Sequence, residues 1–296
     1  MSINIPNHFV QQYKLNRSLL LQQLVSKLRG TVSEDSYMGK AASVVDQYGA
    51  IEMAKVTSRF APKTRTDITT DRRWIYPEDW DLSQLVDSFD KLRLAMEPES
   101  AMVQAAAAAV GRRIDRTILS AVMGTAKTGE TGATSTAYNT NNTVGVSIGG
   151  TNSLLNASKI KRVKKLARKN LLDLDAEELY MCITAEDEEA LKKDPEFSSK
   201  EFSGAYDAIN GRITRYDGVN FIYLEMVETV MTGTNKVNLP VWVKSGLHLG
   251  IWEEDKTSIN QRHDLQGEPL EIYNHMTLGA TRLEENRVFV IESYRS

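Results

Sequence analysis

The chain has 296 residues, 41% of them hydrophobic and 25% charged, the composition of a globular protein able to bury a core in one elaborated fold or two lobes. Its 36 basic and 39 acidic side chains leave a net charge of -3, which argues against a dedicated nucleic-acid binder with a marked basic excess. A single cysteine, Cys182, excludes a disulfide framework and multi-cysteine zinc motifs; with neither a signal-peptide core nor a long apolar run, the expectation is folding in a reducing cytoplasm and no membrane span.

The first 30 residues carry four basic side chains (Lys14, Arg17, Lys27, Arg29) and no acidic one. Phe9, Tyr13, Leu20, Leu24 and Leu28 recur at helical spacing up to Gly30, which predicts an amphipathic helix in need of a partner surface. From Ser43 to Phe60 and again from Arg72 to Trp80 the β-branched and aromatic content rises. These runs predict a two-stranded projection with its tip at residues 61–71 and its base near Pro77 and Trp80. Two lone strands are only marginally stable in water, so such an arm must rest on something else.

Residues 97–124 carry the strongest helix signal. Glu97, Pro98 and Glu99 suit the first turn and Gly124 the stop, with Met102, Ala106, Ala109, Val110, Ile114, Ile118 and Ala121 as the expected inward stripe. The run of alanines at 105–109 would let another element approach closely. Residues 124–152 hold six glycines and eight threonines and read as a loop or loosely paired hairpin.

The second half reads as mixed α/β. A basic helix over about residues 153–172 precedes the strand LYMCI (179–183), after which Thr184 and Asp187 have capping-box spacing for a short helix that Pro195 ends. Strands dominate beyond Gly211, and the last two, joined through LEENR, are expected to form a terminal hairpin.

Few residues invite a chemical reading. His8, His248, His263 and His275 lie far apart without an HxxxH or HExxH partner, so no metal site follows. The acidic run Glu186, Asp187, Glu188 and Glu189 opens a helix, where negative charge is favourable for dipole reasons alone. No phosphate-loop motif occurs, and no catalytic residue or cofactor is assigned. Lys159, Lys161, Arg162, Lys164, Lys165, Arg168 and Lys169 leave two readings open: a phosphate-binding face centred on Lys161, Lys165 and Arg168, or a solvated or subunit-pairing face.

Taken in order, SRFAPKTRTDITTDRRWIYPEDWDLSQLVD, AMVQAAAAAVGRRIDRTIL, ELYMCITAEDEEALKKD, GRITRYDGVNFIYLE and VWVKSGLHLGIWE give a chain that resembles the Hong Kong 97-type major capsid proteins of tailed bacteriophages. The resemblance implies an α+β fold with an N-terminal arm (1–42), an extended loop (43–93), a peripheral domain with a spine helix (94–130 and 268–296), and an axial domain (131–267) taking in the Gly/Thr-rich loop 124–152. It implies a coat protein, no enzyme, that assembles with itself as pentamers and hexamers into an icosahedral shell around phage double-stranded DNA, with portal and scaffolding partners. The implied location is the virion, after synthesis in the host cytoplasm. Lys63, Arg65, Arg72 and Arg73 on the extended loop are then candidates for contact with the next subunit. Some relatives crosslink a lysine of this loop to a neighbour's asparagine, but no motif marks Lys55, Lys63 and Asn274 as such a set. The alternatives are an encapsulin-type compartment shell, which shares the fold, and a soluble oligomeric α/β enzyme with an arm.

Overall fold

A computed structural model describes residues 22–56, 58–59, 65–86, 99–195 and 213–295. In chain order the strands and helices are β1 (Ser33–Ser36), β2 (Ala42–Tyr48), β3 (Thr70–Ile75), β4 (Glu78–Val86), α1 (Glu99–Met123), β5 (Ala126–Thr128), β6 (Thr134–Thr136) and β7 (Thr143–Val144). They continue with α2 (Ala157–Lys169), β8 (Leu179–Ile183), α3 (Ala185–Lys193), β9 (Arg215–Tyr216), β10 (Val219–Tyr223), α4 (Val227–Val230), β11 (Thr232–Gly233), β12 (Lys236–Val243), β13 (Leu247–Gln261), β14 (Leu270–Arg282) and β15 (Val288–Tyr294).

The largest sheet runs β7-β15-β12-β8-β10-β9, with β11 on β12. Its middle strands are apolar on both faces: Val288, Phe289, Val290 and Ile291 are all fully buried, as are Leu239, Trp242 and Val243. Strands covered on both faces lose the usual in-out alternation, which is why these segments read as continuous apolar runs. Helix α2 lays Ile160, Val163 and Ala167 into this core, and α1 adds Ile118, Leu119 and Val122. Each such fully buried side chain of Leu or Phe size contributes about 1.5–3 kcal/mol.

A second sheet, β1-β13-β14-β4, is dominated by the long antiparallel β13–β14 hairpin. Gly250 and Gly279 face each other across it, under the chain that leaves β3. A Cβ on Gly279 would run into the Tyr76 carbonyl oxygen, so glycine is required there for the crossing. The third sheet, β2-β3-β5-β6, contains the extended projection. β2 and β3 pair from Ala42↔Ile75 to Tyr48↔Thr70, after which the backbone of 49–56 and 65–69 leaves the ladder. The Gly/Thr-rich segment begins with the β5–β6 hairpin, and β5 pairs with β3 at Arg73↔Thr128 and Trp74↔Lys127. Part of the support for the arm therefore comes from its own chain.

Three sequence expectations change. The final two strands do not form a hairpin: β14 belongs to the second sheet and β15 to the largest one, joined by a 3-10 turn at Glu285–Arg287. The fully apolar face pair of β15 is satisfied only between β12 and β7, which outweighs the short connection. Of the helix expected up to Gly30, residues 22–28 are not helical, because their polar groups are held elsewhere, as described below, and residues 1–21 lie outside the described residues.

The inward stripe of α1 also differs. Ala106 and Ile118 are buried as expected, and with them Ala108, Gly111, Asp115, Thr117, Leu119 and Val122, while Ala109, Val110, Ile114 and Ala121 are half-buried and Ala107 is exposed. The side chain of Met102 lies outside the described residues. A stripe containing a glycine and an aspartate is invisible to an apolar count. Ala108→Asp should therefore cost several kcal/mol as an unpaired buried charge, whereas Ala107→Asp should stay within about 0.5 kcal/mol of the parent. Equal thermal melting of the two variants would refute this orientation of the helix.

Candidate functional site

The N-terminal segment is fastened to α1 by Asp115, whose side chain is fully buried. Its carboxylate accepts from the backbone N–H of Lys27 and Leu28, both at 3.1 Å, from the Ser26 hydroxyl at 2.6 Å, and from the Gln23 side-chain amide. Gly111, one turn earlier, allows the contact: a Cβ there would sit 2.8 Å from the Ser26 nitrogen. Beyond the clamp, Lys27 Nζ donates to the Tyr223 carbonyl, Trp242 Nε1 donates to the Thr31 carbonyl, and β1 pairs in parallel with β13. His248 bridges Ser33 Oγ and Tyr37 Oη at 2.9 and 2.8 Å, and burial pushes its pKa down. Residues 22–37 are thus anchored along the body, and the chain preceding them starts from this clamp.

The cations proposed for the extended loop divide sharply. Arg73 is buried and donates to Glu285 at 2.5 Å, with Gln47 Oε1 at 3.4 Å, so it is committed to its own subunit and is withdrawn as a contact for a neighbour. Burial follows from β3 lying between β2 and β5, with position 73 facing the 284–287 turn. Arg72 forms a forked pair with the cross-strand Asp46, at 2.6 and 3.2 Å, and holds that carboxyl below its usual pKa range. Arg65 is almost fully exposed beside Asp67 at 3.4 Å. Lys63 lies outside the described residues. Around them the projection exposes Tyr48, Ile51, Met53, Val56 and Ile68.

Helix α2 is capped by Asn156, whose Oδ1 accepts from the Lys159 N–H. Lys159 does not belong to the basic face: it is fully buried, donates to the Ser153 and Glu292 carbonyls at 2.7 and 2.8 Å, and burial lowers its pKa to about 8. Lys164 is paired with Asp217 at 2.5 Å. Lys161, Arg162, Lys165, Arg168 and Lys169 are exposed. Lys164 and Arg168 also border a cleft of about 290 Å³ shared with Asp175, Glu177 and Glu178, which tempers the positive field at that end.

Asp187, within the acidic run at the start of α3, is fully buried and does more than complement the helix dipole. It receives hydrogen bonds from Thr184 Oγ1 and Ser293 Oγ at 2.7 and 2.6 Å and pairs with Arg295 at 2.8 Å, which locks the end of the chain onto α3. Cys182 is fully buried, with its thiol pKa raised by burial. Among the described residues no group of three His, Cys, Asp or Glu side chains is placed to hold a metal ion, and no helix is long and apolar enough to cross a membrane.

A family model described as phage capsid protein matches residues 5–294. The chain belongs to the phage capsid protein family. It is a coat protein of the phage head shell, and its fold is of the Hong Kong 97 type. Among solved structures, it is similar to the capsid protein of cyanophage P-SCSP1u (11% identity, 98% of this chain and 94% of that chain, TM-score 0.73). The cyanophage Pam1 capsid (10%, 99% and 98%, 0.73) and the capsid of Helicobacter pylori bacteriophage KHP30 (11%, 98% and 97%, 0.69) are comparably similar. At such identities the likeness is one of fold. No curated protein matches the chain by sequence.

For this capsid protein the residues that the sequence did not disclose are Asp115, Gly111, Arg282 and the Asp187–Arg295 pair. A partial signal existed for Asp115, an acid flanked by Ile114 and Ile118 in a stretch otherwise apolar on that side. Nothing local distinguished Lys159 or Arg73 from their exposed neighbours.

Proposed function

We propose that the capsid protein assembles with itself as pentamers and hexamers into a closed icosahedral shell around double-stranded DNA, acting by assembly and not by catalysis. In this reading residues 1–42 are the N-terminal arm and 43–93 the extended loop; 94–130 with 268–296 form the peripheral domain and 131–267 the axial domain. Portal and scaffolding proteins are its partners, and the chain is synthesised in the host cytoplasm before it enters the virion. The observation that carries the proposal is the extended projection, whose tip-ward residues Ile51, Met53, Val56 and Ile68 are exposed beyond the last paired positions of β2 and β3. Apolar side chains on an arm outside a compact core favour burial against another subunit.

Shortening residues 61–71 to a few Gly and Ser residues tests this role. The expected product melts as the parent does, because loop length costs little, but no longer closes into particles by light scattering. Particles of normal size, or an unfolded product, would refute the bridging role.

We further propose that Lys161, Lys165 and Arg168 of α2 face packaged DNA. Changing all three to Gln should leave empty shells intact while weakening DNA retention and flattening its dependence on salt. Failure of the shells themselves would assign this face to subunit pairing instead.

A further inference from the structure

Strand β1 and the turn after it, residues 33–39, join the N-terminal segment to the root of the extended projection, and little apolar burial holds them. β1 exposes Glu34, Asp35 and Ser36, and among the described residues it pairs only with β13. Polar and aromatic contacts hold the segment instead. The Tyr37 N–H donates to the Ile251 carbonyl and Trp252 Nε1 donates to the Gly39 carbonyl, at 2.9 and 2.8 Å. The Tyr37 ring lies 5.7 Å from the His248 ring and 5.4 Å from that of Trp252, and it converges with Trp252 and Ile75, the last residue of β3, over Gly250. A segment with few buried apolar contacts opens locally at low cost, so a single buried group can decide whether it stays closed.

That group is His248, 3% exposed, with Ser33 Oγ at Nδ1 and Tyr37 Oη at Nε2. Ser33 Oγ also donates to the Leu247 carbonyl at 2.9 Å. With the Ser33 proton committed there, the neutral ring donates at Nδ1 and accepts from the Tyr37 hydroxyl at Nε2, which satisfies both nitrogens. A second ring proton, at Nε2, would meet the Tyr37 hydroxyl proton and place a charge in a buried site. Burial pushes the ring's pKa down, and Asp35 of β1, the one charged group among the described residues that acts on it, offsets this only in part. The facing residue on β14 is the uncharged Thr281, β3 brings Ile75, and Glu34 of β1 is held by Arg29 at 2.8 Å. Tyr37 stays neutral, because burial and Asp35 both raise its pKa.

We propose that His248 is a pH-operated latch: on taking up a second proton it releases residues 33–39 from β13 and frees the root of the extended projection. The closed form holds the ring below the ordinary imidazole value of 6.5, which exposure restores when the segment opens, so protons bind the open form better. The latch is therefore closed above pH 6.5 and weakens as the pH falls below it. The device belongs to the single chain and does not rest on how copies assemble.

Hydrogen–deuterium exchange of the full chain, read by mass spectrometry at about pH 7.5 and 5.5, tests the latch above the range in which ordinary carboxylates take up protons. Comparison with His248→Gln at each pH cancels the intrinsic pH dependence of exchange. The ratio of parent to variant rates in peptides covering 33–39 should rise at the lower pH by a factor approaching about tenfold, the ceiling set by the open-form value. His275→Gln should respond as the parent does. A parent that does not respond, a response that survives in His248→Gln, or one that is lost in His275→Gln would overturn the latch. If His248→Gln does not fold, the parent decides alone. Loss of protection confined to residues 33–39 and the facing 248–252 supports the latch, whereas no loss, or an equal loss across the histidine-free β12, overturns it.

Discussion

Asp115→Ala is expected to be among the most destabilising truncations in the capsid protein, at about 3–5 kcal/mol. The reason lies in what the substitution leaves behind. The backbone N–H groups of Lys27 and Leu28, the Ser26 hydroxyl and the Gln23 amide all lose their acceptor at a buried site. Water cannot replace the carboxylate without opening the contact between the N-terminal segment and α1, and Leu28 is fully buried in that contact. Asp115→Asn keeps one acceptor oxygen but turns an NH2 group toward existing donors, so it should fall between alanine and the parent. Gly111→Ala should loosen the same contact by steric means. Thermal melting gives the stability change, and limited trypsin digestion gives its location, because cleavage after Lys27 and Arg29 should accelerate. An Asp115→Ala protein that melts within about 2 °C of the parent, with unchanged cleavage, would show that the clamp contributes nothing.

Arg282→Ala is expected to have a comparable effect at the other end of the helix. The Arg282 guanidinium is fully buried and donates to the carbonyls of Val122 at 2.8 Å, Gly124 at 2.9 Å and Ala121 at 3.4 Å, with Thr136 at 3.4 Å. The last carbonyls of a helix have no partners within it and carry the negative end of its dipole, so one cation satisfies both needs. Glu285, 3.5 Å from Arg282 Nε and 2.5 Å from Arg73, closes the network and ties α1 to the β14–β15 turn and to the extended projection. Removing the arginine leaves buried carbonyls unpaired and unbalances Glu285, a loss of about 3–5 kcal/mol. Arg282→Lys should recover little, because an ammonium group cannot span carbonyls contributed by both the helix end and β6. Full recovery by lysine in urea unfolding would mean that charge alone acts and that the fork is dispensable.

Much of the fold was legible in the sequence, wherever the signal is local. Helix α1 was readable because periodicity, first-turn acids and a terminal glycine agree over a single segment, and it spans Glu99–Met123 as expected. Thr184 and Asp187 announced the start of α3 for the same reason, and composition marked the two strands that pair in the projection, although Trp80, expected at its base, lies in β4 of the second sheet. The order of these pieces was enough for the family. What the tertiary structure decided is which side chains meet across long separations. β14 and β15 are neighbours in the chain yet enter different sheets, because a strand buried on both faces must find two partners and only the larger sheet offers them. Lys159 and Arg73 look like their exposed neighbours, but Ser153, Glu292 and Glu285 turn them inward. Asp115 lies 87 residues from Leu28 and still fixes where the N-terminal segment meets α1. Such placements depend on how elements stack, and the free energy that enforces them, the cost of an unpaired buried charge, exists only once the core has closed around it.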